Sequence, residues 1–125
     1  QAICTRSGLL SRKDGGVRGR RAGCYQEINM ARKKLTDAEI QTALEELADW
    51  AVVDGKLHKA YKFGSFAQAI GWMVSVSLFA DKTDHHPEWR NVYNRVWVDL
   101  ATHDLDDAIS ELDVKLARQM DKLAG

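Results

Sequence analysis

Three of the four histidines of this chain, His85, His86 and His103, fall within nineteen positions of each other. The first two follow Asp84 and precede Pro87, the only proline in the sequence. An imidazole has an unperturbed pKa of about 6.5, so it can both donate and accept a proton near neutral pH. A neighbouring acid such as Asp84 could orient these rings. We therefore expect a proton-transfer site that uses the three histidines.

Other chemistries fit these residues less well. Three histidines can hold a catalytic zinc ion, but neighbouring side chains of an extended chain point to opposite faces, which makes His85 and His86 poor co-ligands. The sequence has no HExxH spacing, no nucleophile elbow and no defensible Ser-His-acid order. On composition alone, a purely structural role for the histidines as loop residues remains open. Metal-free acid–base catalysis is the functional interpretation that we favour.

Hydrophobic periodicity and turn residues divide the chain after Leu35 into seven predicted elements. In chain order they are a helix over about 37–48, strands over 50–53 and 57–63, a helix over 66–81, strands over 89–93 and 95–100, and a helix after Ser110. Asp54-Gly55 supplies a hairpin turn, and Asn94 is expected to take the second turn. Short hairpin links imply antiparallel pairing. The predicted fold class is α+β, a four-stranded antiparallel sheet with three helices packed on one face.

Two of the predicted helices bear on the expected packing. The helix over 66–81 has apolar residues around more than half of its circumference, so it should be largely buried, against the sheet and against a second subunit. The last helix should place Leu112, Leu116, Met120 and Leu123 inward. Asp113 lies in its first turn, where the helix dipole favours an acid.

Charge differs between the start of the chain and the rest. Residues 1–29 hold six Lys or Arg and two Asp or Glu, a net charge of +4, whereas residues 30–125 hold twelve and sixteen, a net charge of −4. An acidic body argues against phosphate-backbone binding as the main task, so we expect no direct nucleic-acid partner. No apolar run approaches the roughly 20 residues that span a bilayer, and no membrane partner is expected.

The first 29 residues are rich in Arg, Gly and Ser, and they contain both cysteines, Cys4 and Cys24. We expect residues 1–29 to be a disordered leader and residues 30–125 to form one domain. The leader is either upstream sequence unrelated to the domain or an organellar transit peptide. A body without cysteine fits a reducing compartment. We expect a cytoplasmic protein, or an organellar one if the leader is a transit peptide.

One long set of residues resembles a known family. It comprises Asp84-His85-His86-Pro87-Glu88-Trp89-x-Asn91-Val92-Tyr93-Asn94-x-Val96, then Thr102-His103-Asp104, then Leu112-Asp113-x-x-Leu116-Ala117. Trp50, Phe63 and the pattern Phe66-x-x-Ala69-x-x-x-Met73 add to it. In these residues the chain is similar to the pterin-4a-carbinolamine dehydratase family from about Leu35 to Leu123. Residues 1–29 are not part of the resemblance.

The resemblance implies an enzyme, a lyase. Members of the family dehydrate 4a-hydroxytetrahydropterin, the product of aromatic amino acid hydroxylases, to quinonoid dihydropterin in tetrahydrobiopterin recycling. They use no metal or organic cofactor, and they associate as homodimers or homotetramers with the same α+β layout. The implied catalytic residues are His85, His86 and His103. The implied substrate contacts are Asp84, His85, His86, Ala101, Thr102, His103 and Asp104.

Two functions are compatible with this resemblance. In the enzyme, we expect His85 and His103 to transfer protons, His86 to position the substrate, and Asp104 to orient His103. The alternative is a non-catalytic binding protein on the same scaffold. Animal members also serve as dimerisation cofactors of a homeodomain transcription factor, and some bacterial relatives resemble assembly chaperones for ribulose-bisphosphate carboxylase. The presence of all three histidines favours the enzyme.

Overall fold

A computed structural model describes residues 32–125. The helices are α1 (Asp37–Glu46), α2 (Phe66–Thr83) and α3 (Glu111–Ala124), and the strands are β1 (Ala51–Val53), β2 (Lys56–Lys62), β3 (Glu88–Val92) and β4 (Arg95–Leu100). The predicted order of helices and strands is confirmed. The predicted leader, residues 1–29, lies outside the described residues.

The four strands form one antiparallel sheet in the order β1-β2-β4-β3. Asp54 and Gly55 join β1 to β2 with φ angles of 50° and 78°, the left-handed conformation that a two-residue hairpin turn requires. In the turn between β3 and β4 the left-handed residue is Tyr93, with φ 52°, rather than Asn94. The side chain of Asn91 stabilises this turn, because Nδ2 donates to the carbonyls of Tyr93 and Arg95.

The two faces of the sheet differ in character, as the strand alternation predicts. The inner face carries the fully or nearly fully buried residues Leu57, Tyr61, Val96, Val98 and Leu100, which belong to one core with residues of α2 and α3. On the outer face Lys56 binds Glu88 at 2.8 Å, and the guanidinium of Arg90 lies 4.0 Å from the ring centre of Trp97. The helices therefore cover one face, and the other is polar.

Helix α2 buries a narrower surface than the sequence predicts. Its inward residues are Ala69, Trp72, Val76 and Ala80. The ring centre of Trp72 lies 4.5 Å from that of Tyr61, and its Nε1 donates to the carbonyl of Met120. An outer stripe, defined as Phe66, Ile70, Val74 and Leu78, is exposed in the single chain.

Helix α3 is fixed to the sheet by one carboxylate. Asp121 accepts hydrogen bonds from Trp50 Nε1 at 3.1 Å, Lys59 Nζ at 2.7 Å and Tyr61 Oη at 2.5 Å. Burial, together with the hydrogen bond to Asp121, raises the pKa of the Tyr61 phenol well above its ordinary value. These bonds set the position of α3, whose other end carries site residues.

Within residues 32–125, no helix combines the length and apolar character needed to cross a bilayer.

Candidate active site

The end of α2 determines where the first two histidines point. Asp84 adopts a left-handed conformation (φ 50°, ψ 43°), and its N–H donates to the carbonyl of Asp81. The N–H of His85 donates back to the carbonyl of Ala80 at 3.1 Å, which completes a Schellman motif. Pro87 favours extended backbone at the residue before it. The chain therefore turns sharply, and the two histidine side chains leave it in different directions.

His85 is the buried histidine of the group. Its residue exposure is 8%, and its Nε2 lies 2.6 Å from Oδ1 of Asp113, which is fully buried. An ionised carboxylate can only accept hydrogen bonds, so Nε2 carries the proton and donates it. This fixes the tautomer of the ring and leaves the lone pair on Nδ1. A ring held in this way can act as a proton acceptor through Nδ1.

Asp113 is held in place by two further donors. Its Oδ2 accepts the backbone N–H of Ser110 and the hydroxyl of Thr102, each at 2.9 Å. The Ser110 hydroxyl accepts from the N–H of Leu112 and lies 2.5 Å from the Thr102 oxygen, to which it can donate. Every partner in this buried network is thus satisfied, which a buried carboxylate requires.

Asp113 was not among the candidate site residues expected from the sequence, although this acid was noted in the first turn of the helix and in the residues that carry the family resemblance. It is the N3 residue of a capping box whose N-cap is Ser110. That spacing was visible in the sequence as Ser110 followed three residues later by an acid. What marks Asp113 as a site residue is that its carboxylate is completely buried and contacts His85. Both features depend on tertiary structure and are not visible in the sequence.

His86 and His103 are exposed. The Nε2 of His86 lies 2.9 Å from Oδ1 of Asp81, on the last turns of α2. His103 begins a short 3₁₀ turn, His103–Leu105, and its side chain is 97% exposed, with Nδ1 3.6 Å from Asp107. We expected Asp104 to orient His103. In the structure the carboxylate of Asp104 pairs with Arg32 instead.

Two connections link the segment of His85 and His86 to the segment of His103. The buried one runs from His85 through Asp113 to Thr102, the residue before His103. The surface one is Arg32, which lies between Asp84 and Asp104. Of the other predicted substrate contacts, Ala101 is half-buried, while the Thr102 hydroxyl is used within the buried network.

The remaining histidine lies elsewhere. His58 is on the outer face of the sheet, where its Nδ1 lies 2.8 Å from Asp99. Among the described residues, no group of three or more His, Cys, Asp or Glu side chains is arranged to hold a metal ion. Clefts of about 320 Å³ between α1 and α3 and about 450 Å³ at the β3–β4 turn are lined by other residues. We therefore identify the candidate site from the chemistry of its side chains and not from a deep cleft.

A family model for pterin 4 alpha carbinolamine dehydratase matches residues 33–123. The chain belongs to this family. The match includes all three candidate histidines, Asp113 and the whole sheet, and it begins immediately after Arg32.

Related proteins agree with this membership. The chain is 48% identical over 98 residues to proteins of Brucella ovis and Brucella canis that are named as pterin-4-alpha-carbinolamine dehydratases. These alignments cover 77% of this chain and 100% of each relative. A crystal structure of a transcriptional coactivator/pterin dehydratase from Brucella melitensis is 46% identical, with a TM-score of 0.71, covering 74% of this chain and 100% of that one.

A more distant member of the fold has a different described role. It is a pterin dehydratase-like protein identified as a RuBisCO assembly factor in the alpha-carboxysome. It is 25% identical, with a TM-score of 0.51, and the alignment covers 61% of this chain and 87% of that one. The dehydratase scaffold is therefore associated with both enzyme and assembly-factor names.

Proposed function

We propose that this chain catalyses the dehydration of 4a-hydroxytetrahydropterin to quinonoid dihydropterin, by metal-free acid–base catalysis with histidines, in tetrahydrobiopterin recycling. The observation that carries the proposal is the His85–Asp113 pair, held at 2.6 Å inside a complete hydrogen-bond network in a chain of the dehydratase family. Desolvating a carboxylate and an imidazole together is costly even when they are paired, and such buried pairs are concentrated at functional sites, which supports this assignment.

The reaction needs two proton transfers. Loss of water from carbon 4a requires a proton delivered to the hydroxyl oxygen and a proton removed from a ring nitrogen. In the proposal His85 accepts a proton through Nδ1, because Asp113 occupies Nε2. His103, whose side chain extends into solvent, is the partner on the other side of the pterin, and His86 positions the substrate.

The substrate contacts in this proposal are those expected from the sequence. The carboxylates of Asp84 and Asp104 are exposed, so they would be available to accept from the N–H groups of the pterin. Ala101 and Thr102, which precede His103 in the chain, would contact the pterin through their backbone. The proposed functional domain is residues 30–125, and the enzyme would work beside an aromatic amino acid hydroxylase that supplies its substrate.

The test is the rate of dehydration of enzymatically generated 4a-hydroxytetrahydropterin in the presence of a metal chelator. We expect the parent to accelerate the reaction and His103→Ala to lose about 10²-fold or more of that acceleration, as general acid–base catalysis allows. His58→Ala is the matched control, because His58 is an imidazole on the outer face paired with Asp99, and its loss should leave the rate unchanged. A folded parent that gives no acceleration contradicts the proposal.

A second candidate function is a binding protein on the same scaffold. It is favoured by the assembly-factor relative and by the outer stripe of α2, four apolar residues spaced one turn apart and exposed in the single chain. A binding function that does not need catalysis would tolerate loss of His85 and His103. The binding function would be favoured if the parent has no dehydratase activity but binds a partner protein, and if His85→Ala binds that partner equally well.

The same stripe supports a homo-oligomer. Phe66, Ile70, Val74 and Leu78 would be removed from water by the equivalent helix of a second copy. Sedimentation equilibrium should show an oligomer for the parent and a smaller species for Val74→Asp. A monomeric parent at micromolar concentration would contradict this assembly.

A further inference from the structure

Arg32 joins two parts of the candidate site that are distant in sequence. Its Nη1 lies 2.5 Å from Oδ2 of Asp104, and its Nη2 lies 3.7 Å from Oδ2 of Asp84. Asp84 directly precedes His85, and Asp104 directly follows His103. One guanidinium thus contacts the carboxylates next to both histidine segments.

The segment that carries Arg32 is tied to the buried network. Lys34 forms an antiparallel bridge with Ser110, and the N–H of Leu35 donates to the carbonyl of Ile109 at 2.9 Å. Ser110 is the residue whose N–H and hydroxyl support the carboxylate beneath His85. The backbone at Ile109 and Ser110 therefore positions both the segment of Arg32 and the carboxylate of Asp113.

Arg32 is more buried than either of its partners. Its side chain is 29% exposed, against 86% for Asp84 and 62% for Asp104. Within the described part of the chain, its Nε is buried and has no hydrogen-bond partner. A guanidinium stays charged and holds its five donors in one plane. Because Nε is buried without a partner, we attribute the position of the group to the contacts that Nη1 and Nη2 make with the two carboxylates.

We propose that Arg32 is a positioning residue of the dehydratase site, which clasps Asp84 and Asp104 so that the segments carrying His85 and His103 face the same bound pterin. The inference rests on the proposed function. The clasp holds the two carboxylates in the orientations that receive the substrate. It touches neither His85 nor Asp113, so it acts on substrate binding more than on proton transfer.

The first measurement is steady-state dehydration by the parent, Arg32→Ala, Arg32→Lys and Lys33→Ala. We expect Arg32→Ala to raise KM about tenfold, as loss of a charge-assisted contact implies, with a much smaller change in kcat. Arg32→Lys should be intermediate, because an ammonium keeps the charge but cannot bridge both carboxylates. The adjacent exposed Lys33 is the matched control, and Lys33→Ala should behave as the parent does.

Chemical rescue separates a clasp from general damage. Added guanidinium ion at millimolar concentration should lower the KM of Arg32→Ala and leave the parent unchanged. An unchanged KM in Arg32→Ala, or a fall in kcat that guanidinium does not reverse, would overturn the role given to Arg32 while leaving an active parent as support for the dehydratase.

A binding measurement covers the case in which turnover is absent. Calorimetric titration with the unreactive 7,8-dihydrobiopterin should give a weaker dissociation constant for Arg32→Ala than for the parent, by about the same tenfold factor. Equal affinities refute the clasp. A parent that binds no dihydrobiopterin and has no activity refutes the pterin site itself, and the clasp with it.

Discussion

Replacing Asp113 by Asn tests whether the buried carboxylate sets the tautomer of His85. The carboxylate accepts from three donors, which are His85 Nε2 on one oxygen and the Ser110 N–H and Thr102 hydroxyl on the other. An Asn side chain has one oxygen and one NH₂ group. Its oxygen can keep both Ser110 and Thr102, and the NH₂ group then faces His85.

The consequence for the ring follows from donor and acceptor types. An NH₂ group facing Nε2 requires Nε2 to accept, so the ring proton moves to Nδ1. Nδ1 then has no lone pair to accept a substrate proton. In Asp113→Asn we therefore expect kcat to fall by about 10²–10⁴-fold, the range over which a positioned acid–base group contributes.

The expected cost in stability is smaller than the cost in rate. The number of hydrogen bonds stays at three, but the bonds lose their charge assistance, so the free energy of unfolding should fall by about 1–3 kcal/mol. Asp113→Ala would leave Ser110, Thr102 and His85 without their acceptor and should cost more, about 3–5 kcal/mol. Urea unfolding of both variants measures these differences.

The matched control for Asp113→Asn is Asp99→Asn. Asp99 contacts His58 at 2.8 Å on the outer face of the sheet, so the same chemical change is made at a histidine outside the site. Nitrogen-15 spectra of the imidazoles should show the tautomer of His85 reversed only in the Asp113 variant. Unchanged kcat with a reversed tautomer, or equal losses of kcat in the two variants, would refute the reasoning.

Two further predictions concern stability. Asp84 has a left-handed backbone, so Asp84→Gly should raise the free energy of unfolding by up to about 1 kcal/mol, while KM rises because the carboxylate is lost. Asp49, which is outside the site, is also left-handed (φ 65°), and Asp49→Gly should stabilise the protein without changing KM. Because the pKa of Tyr61 is raised in the folded state by burial and by Asp121, the unfolded chain alone loses this proton above about pH 10, so stability should fall there by about 1.4 kcal/mol per pH unit. Tyr61→Phe should remove that component of alkaline unfolding, and an identical slope in parent and variant would contradict it.

The elements of this fold could be predicted because their signals are local. The capping box of Thr36 and Glu39, and the left-handed turn at Asp54-Gly55, each lie within four residues of sequence. The alternation of Val96, Val98 and Leu100 with polar or larger residues along β4 is equally local, and these three are the buried residues of the strand. Such patterns determine where elements begin and end because they satisfy the backbone groups of the elements themselves.

The packing of α2 could not be predicted from its own sequence. The helix is apolar around most of its surface, so periodicity does not distinguish the stripe with Trp72 that faces the sheet from the stripe with Val74 that remains exposed. Only the neighbouring elements decide between them. Trp72 is inward because its ring packs against Tyr61 and its N–H finds the carbonyl of Met120 at the far end of α3.

The sequence indicated the three histidines as candidates, but it did not indicate Asp113 or Arg32, which contact their segments in the structure. Asp113 is 28 positions from His85, and Arg32 is 72 positions from Asp104. An acid in the first turn of a helix and a basic residue near the start of a domain are both common in sequences, and neither spacing indicates a partner. The roles of such residues depend on which loops the sheet brings together.

The two candidate functions use different parts of α2. Proton transfer, as proposed, would depend on the C-terminal end of the helix, where the Schellman motif at Asp84 turns His85 into the interior. Partner binding would depend on the outer stripe, whose residues project away from the core. Because the side-chain hydrogen bond of His85 runs to Asp113 of α3 rather than to the outer stripe, we expect occupation of that stripe by a second copy or another protein to leave the buried network intact. The scaffold can therefore carry a catalytic and an assembly function at once, and loss of one need not remove the other.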